Sequence, residues 1–136
     1  MGTFVDQQFM HSESTKGDCF RACLATILGM PIKAVPHFAL LDFAPDVFVA
    51  MTCAQAWLEA KGFEMWMGLE DGENPLPMCI VNGISPRGIR HAVVGSTATG
   101  EIIHDPHPSR AGLTTIQSRL YIFPKARVCQ TVEGGS

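Results

Sequence analysis

The sequence predicts an α+β fold in which N-terminal helices pack on an antiparallel β-sheet. Apolar residues recur at helical spacing in the first half of the chain, and short β-type runs separated by turn residues fill the second half. Helices followed by strands are typical of α+β proteins, whereas parallel sheets need the two to alternate. With 136 residues, the chain fits one domain, which we expect at residues 1–130, followed by a flexible tail at 131–136.

The first predicted helix begins abruptly after Asp18, whose side chain is expected to cap it, and ends at Gly29. The apolar residues at three- and four-residue spacing are Phe20, Cys23, Leu24, Ile27 and Leu28. Cys19 therefore lies in the first turn of this helix. Upstream of it, residues 4–9 are predicted to form a short strand.

A second helix is predicted within residues 46–61, closed by Gly62. Its inner face is expected at Val49, Cys53, Ala56, Trp57 and Ala60. Strands are predicted at 63–67, 78–81, 91–95, 101–104 and 115–123. The third and fourth of these flank a five-residue turn and are expected to form a hairpin.

Composition excludes several classes of partner. The net charge is −3 and the basic residues are scattered, which argues against a nucleic-acid partner. No stretch approaches the roughly 18 apolar residues of a spanning helix, so no membrane partner is expected. Five irregularly spaced cysteines without a Cys-x-x-Cys pair indicate free thiols and a reducing, cytoplasmic compartment.

Cys19, His91 and Asp105 are the candidate catalytic residues. A helix N-terminus favours the thiolate, so its dipole is expected to lower the pKa of Cys19. His91 opens one strand of the predicted hairpin and Asp105 closes the other, and a hairpin places these ends side by side. The histidine would act as general base, and the carboxylate would orient it.

The segment GDCFRACLATIL at residues 17–28, followed by Val35-Pro36-His37-Phe38, resembles short bacterial and phage proteins similar to papain-like bacteriocin-processing peptidases. Those peptidases form the double-glycine leader-cleaving domain of some export transporters. His91-Ala92-Val93-Val94 and Ile103-His104-Asp105-Pro106 match the second half of the same pattern. The resemblance covers roughly residues 4 to 123.

The resemblance implies a papain-like fold and a cysteine hydrolase acting on a peptide or protein in a bacterial or phage-infected cell. It also implies a glutamine that binds the oxyanion together with the Cys19 amide. Such peptidases carry this glutamine a few residues before the cysteine, whereas here Gln7 and Gln8 lie farther upstream, which requires an inserted loop at 11–16. Gln7 is the first choice and Gln8 the alternative.

Three further interpretations stay open. A papain-like scaffold without turnover would serve as a binding or inhibitory module. A metal site is disfavoured because His104 and His107 straddle Pro106 without a regular ligand spacing, and no cofactor is expected. Arg87 and Arg90, in the loop before His91, are either solvated charges or contacts for an acidic group.

Overall fold

Helices and strands follow one another in the predicted order in a computed structural model, which describes residues 4–10, 17–38, 47–68 and 74–125. The helices are α1 (Cys19–Leu28), a short 3₁₀ turn (Ile32–Ala34) and α2 (Val47–Ala60). The strands are β1 (Phe63–Trp66), β2 (Met78–Ile84), β3 (Arg90–Ser96), β4 (Ile102–His104) and β5 (Thr115–Pro124). The expected tail at 131–136 lies outside the described residues.

The five strands form one antiparallel sheet in the order β1-β5-β2-β3-β4. Two helices and this sheet confirm the α+β class. Strand β5 pairs with both β1 and β2, so it joins β1 to the remaining strands of the sheet. The predicted hairpin is confirmed as β3 and β4, with Val94 opposite His104.

Helix α1 is buried along most of its length because it packs on β3 and β2. Its residues 22–27 are all buried. The predicted cap by Asp18 is wrong: the structure shows no side-chain cap there. The Asp18 carboxylate instead accepts a hydrogen bond from the Phe9 amide at 2.8 Å and pairs with Arg21 at 3.2 Å. Asp18 thus fixes the segment before the helix.

Residues 4–9, predicted as a strand, have no regular secondary structure. Individual hydrogen bonds to separate partners hold their backbone, and no β-ladder forms. The Val5 amide donates to Thr26 Oγ1 at 2.8 Å, and the Gln7 amide donates to the Pro106 carbonyl at 3.1 Å. Because these partners come from a helix and a loop, the backbone groups of Val5 and Gln7 are satisfied without a β-ladder.

The predicted inner face of helix α2 is correct in part, since Cys53 and Trp57 are partly buried against the core. Ala54 and Leu58 are fully buried, whereas Ala56 and Ala60 are exposed. The side chain of Val49 lies outside the described residues. Apolar residues lie on all sides of this helix, so the sequence does not indicate which side faces the core. Contact with β1 decides which side is buried. No described helix is long and apolar enough to cross a membrane.

Gly83 is required where β2 bends beside β5. The pairing register shifts between Asn82 and Gly83, and a Cβ atom at Gly83 would overlap the Thr115 carbonyl oxygen. The same residue pairs with His91 on its other side. Close approach of β5 at this position therefore sets the shape of the sheet beside His91.

We expect Gly83→Ala to destabilise the protein by about 1–3 kcal/mol, because the methyl group has to displace backbone rather than a flexible side chain. Urea unfolding of the purified variant measures this change. Gly68→Ala is the matched control, since a Cβ atom there meets nothing within 4 Å. Equal unfolding free energies for the two variants would contradict the close approach.

Candidate active site

The three candidate catalytic residues come from three different elements that meet at one end of the sheet. Cys19 is the first residue of α1, His91 is the second residue of β3, and Asp105 directly follows β4. Packing of α1 on β3 brings the first two together, and the β3–β4 hairpin brings the last two together. Tertiary packing thus unites positions that are 72 and 14 residues apart in the sequence.

Two pockets meet at Cys19 and His91, which line both of them. The first, which we call the basic pocket, has a volume of about 330 Å³ and is also lined by Gln7, Arg87, Arg90 and His107. The second, which we call the apolar pocket, has a volume of about 400 Å³. Its lining includes Phe20, Met51, Met67 and Leu120, and Arg90 lines this pocket as well as the basic one. Cys19 and His91 are therefore accessible from a cleft that extends to both sides of them.

His91 and Asp105 form a buried hydrogen bond. His91 Nε2 lies 2.7 Å from Asp105 Oδ1, and the two residues are 6% and 5% exposed. An ionised carboxylate only accepts hydrogen bonds, so this contact places the ring proton on Nε2. The Nδ1 atom of neutral His91 is then an unprotonated acceptor.

Asp105 is held by backbone as well as by His91. Its Oδ1 accepts the His107 amide at 2.9 Å, and its Oδ2 accepts the Gly112 amide at 2.7 Å. Gly112 presents that amide from a left-handed conformation with φ of +74°, which favours glycine. Burial alone raises the pKa of Asp105, but the hydrogen bonds from His91 and the two amides together lower the pKa below its ordinary value.

The pKa of the Cys19 thiol is not lowered as expected for a cysteine at a helix N-terminus. Burial raises the pKa of the Cys19 thiol above its ordinary value, because desolvation outweighs the hydrogen bonds from the Ala92 and Phe20 amides. The predicted lowering by the helix terminus is therefore wrong in direction. A thiol with a raised pKa is protonated at neutral pH, so its use as a nucleophile requires a base.

Of the two candidate glutamines, only Gln7 lines the basic pocket. It is 7% exposed, and its Nε2 donates to the Phe9 carbonyl at 2.7 Å, which leaves the second Nε2 hydrogen for a ligand. Its Oε1 is buried without a hydrogen-bond partner in the described part of the chain. Gln8 is exposed and accepts a hydrogen bond from Arg21 at 3.1 Å.

Arg110 ties the segment that carries Gln7 to the loop that carries Asp105. Its guanidinium makes two hydrogen bonds to the Asp6 carboxylate, at 2.6 and 2.8 Å, and one to the Asp105 carbonyl at 2.7 Å. The hydrogen bond to Arg110, partly offset by burial, lowers the pKa of Asp6. Sequence reasoning missed this pair because 104 positions separate its members and neither belongs to a motif.

The remaining histidines of this region have separate surroundings. His104 contacts Asp6 at 3.0 Å and stacks on Phe4, so it takes no part in the His91–Asp105 pair. His107 lies edge-on to His91, with ring centroids 6.1 Å apart. Within residues 4–10, 17–38, 47–68 and 74–125, no three histidine, cysteine or acidic side chains are grouped as metal ligands.

Acid stability tests the state of Asp105. A folded-state pKa below the unfolded value of about 3.9 gives stability that is complete above pH 5 and is lost as the pH falls through the folded-state pKa. We expect Asp105→Asn to lose less unfolding free energy than the wild type between about pH 6 and pH 3. Urea unfolding at several pH values measures these slopes, with the exposed Glu101→Gln as control. Identical slopes for wild type and Asp105→Asn would contradict the lowered pKa.

Hydrogen exchange tests the Arg110 contact. We expect Arg110→Gln to speed exchange of the Gln7 amide by about three- to tenfold, because the segment before Gln7 loses its charged anchor. Exchange at Val94 in the core of β3 should stay unchanged. Lys33→Gln, which removes an exposed charge elsewhere, is the control. Unaltered protection of Gln7 in Arg110→Gln would show that the other contacts of the segment suffice.

Comparison with known proteins gives no relative for this chain. No protein-family model matches it, and neither a curated protein nor a solved structure does so. The chemistry of the candidate site is therefore inferred from its own residues and distances.

Proposed function

We propose that this protein is a papain-like cysteine hydrolase that cleaves amide bonds in a peptide or protein through a thioester acyl-enzyme. Cys19 is the nucleophile, His91 the general base and Asp105 the residue that orients the base. The buried hydrogen bond of 2.7 Å between His91 Nε2 and Asp105 Oδ1, beside Cys19 at the junction of two pockets, carries the proposal. Peptidases, isopeptidases and amidases all use this chemistry.

In the first step, His91 Nδ1 takes the proton of the Cys19 thiol while the sulfur attacks the carbonyl carbon of the substrate. Burial keeps the free thiol protonated, so proton removal and attack are coupled in this site. The positive imidazolium that forms is stabilised by the Asp105 carboxylate through its hydrogen bond. Asp105 remains ionised because backbone amides and His91 hold its charge.

The negative oxygen of the tetrahedral intermediate needs hydrogen-bond donors. The Cys19 amide in the first turn of α1 and the second Nε2 hydrogen of Gln7 are our candidates. The intermediate then expels the amine, which receives its proton from His91, and leaves a thioester on Cys19. Water, deprotonated by His91, then attacks the thioester. The carbon–sulfur bond breaks, the acyl group leaves as a carboxylic acid, and the Cys19 sulfur takes back the proton from His91.

The two pockets suit an extended substrate. Because Cys19 and His91 line both the basic pocket and the apolar one, the parts of a substrate on either side of the scissile bond each have a surface to contact. Described cysteines are all free thiols, which fits the cytoplasmic location that we propose. The substrate would be a peptide or protein of a bacterial or phage-infected cell.

Acylation by p-nitrophenyl acetate tests the triad. We expect release of p-nitrophenol with an acetyl group appearing on Cys19, and a fall of at least roughly 100-fold in this rate in His91→Asn, since general base catalysis contributes 10²–10⁴. Absorbance and peptide mass mapping measure the two products. Cys19→Ala should abolish the reaction while it keeps the fold.

Cys23→Ala is the matched control, because Cys23 is fully buried one helical turn further on and should affect stability only. Equal rates in wild type and His91→Asn would argue against a catalytic pair. A folded protein whose Cys19 is never acylated would instead indicate a papain-like binding or inhibitory module.

A further inference from the structure

Several side chains with nitrogen donors line the basic pocket. Its described lining residues include Arg87, Arg90, His91 and His107, and none of them is an aspartate or a glutamate. Neither arginine has an ion-pair partner among the described residues. Two unpaired guanidinium groups beside a nucleophile give a positive potential at the place where a substrate has to bind.

Arg87 lies on an ordered turn between β2 and β3, and Arg90 is the first residue of β3 after that turn. The buried Ser85 closes this turn, since its amide donates to the Ile89 carbonyl at 2.9 Å and its hydroxyl accepts the Arg87 amide at 3.3 Å. The Arg87 guanidinium donates to Ser109 Oγ at 3.0 Å. The turn is thus fastened to the loop after Asp105, and this contact pre-orients the Arg87 guanidinium.

His107 adds a neutral donor to the same wall. The Ser109 amide donates to His107 Nδ1 at 3.0 Å, so Nδ1 is an acceptor and the ring proton lies on Nε2. Burial, together with the positive charge of Arg87, lowers the pKa of His107 against the opposing effect of Asp105, and this keeps the ring neutral. Its Nε2–H group is free of the Ser109 contact.

The size of the basic pocket limits its occupant. A volume of about 330 Å³ is near the lower end of the ~300–1,000 Å³ range of ligand pockets. It suits one short residue with its terminal group better than a long chain. The planar guanidinium group of arginine matches the planar geometry of a carboxylate and binds it through two parallel hydrogen bonds.

We propose that the basic pocket binds a carboxylate of the substrate about one residue from the bond that Cys19 attacks, through Arg87, Arg90 and His107. The preferred substrates are then acyl compounds with a nearby free carboxylate, such as a peptide cleaved close to its C-terminus. This inference rests on the proposed role of Cys19 and adds the substrate class.

Two matched alkylating agents test the proposal without a known substrate. N-bromoacetyl-glycine and N-bromoacetyl-glycinamide carry the same electrophile and differ only in a terminal carboxylate or carboxamide. With either agent the Cys19 sulfur displaces bromide, a carbon–sulfur bond forms, and the thiol proton passes to His91 and then to solvent. Mass mapping of Cys19 as a function of time gives both rates.

We expect the acid to label Cys19 roughly tenfold or more faster than the amide, relative to the same ratio for N-acetylcysteine, because charge-assisted hydrogen bonds to a carboxylate contribute that much. The preference should weaken as salt screens the charges. It should fall towards the N-acetylcysteine ratio in Arg87→Gln and Arg90→Gln, and persist in Lys33→Gln, which removes an equal charge far from the pocket.

Equal labelling by the two agents would overturn the carboxylate pocket while leaving Cys19 as the nucleophile. Failure of both agents to label Cys19 in the folded protein would overturn the proposed function, and the carboxylate proposal would fall with it. A preference that survives in both arginine variants would also overturn the assignment of Arg87 and Arg90.

Discussion

The buried hydrogen bond between His91 and Asp105 is the constraint on which the candidate site depends. A carboxylate removed from water is costly unless hydrogen bonds replace its hydration. Asp105 meets this requirement with His91 and with the amides of His107 and Gly112. The loop after β4 therefore has to fold in one particular way, and that fold fixes which nitrogen of His91 faces away from Asp105.

The N-terminal segment belongs to the same arrangement although it forms no secondary structure. Arg110 joins the Asp6 carboxylate to the Asp105 carbonyl, and the Gln7 amide bonds to Pro106. A candidate oxyanion donor and the candidate for orienting the base are thus held by one loop. Irregular backbone is stable here because side chains and loop carbonyls satisfy its polar groups.

The chemistry of Cys19 follows from its burial more than from its position in a helix. Packing of α1 on β3 removes water from the thiol, and desolvation outweighs the amides that donate to the sulfur. In the function that we propose, attack by this neutral thiol coincides with proton transfer to His91. In the proposed mechanism, the hydrogen bond to Asp105 is therefore needed at the moment of attack and not only for orientation of the resting ring.

The sequence by itself determined where the two α-helices and the five strands lie. Apolar spacing placed α1 at residues 19–28, and β-type runs with turn residues placed all five strands to within a few positions, because these signals are local. The adjacency of His91 and Asp105 was also predictable, since a hairpin has a fixed geometry.

Only the tertiary structure decided the rest. The inner face of α2, the irregular segment around Gln7 and the direction of the Cys19 pKa shift depend on which surfaces pack together. The contact between Asp6 and Arg110 joins distant positions that carry no shared pattern. Burial and long-range pairing are properties of the folded chain, so no window of local sequence contains them.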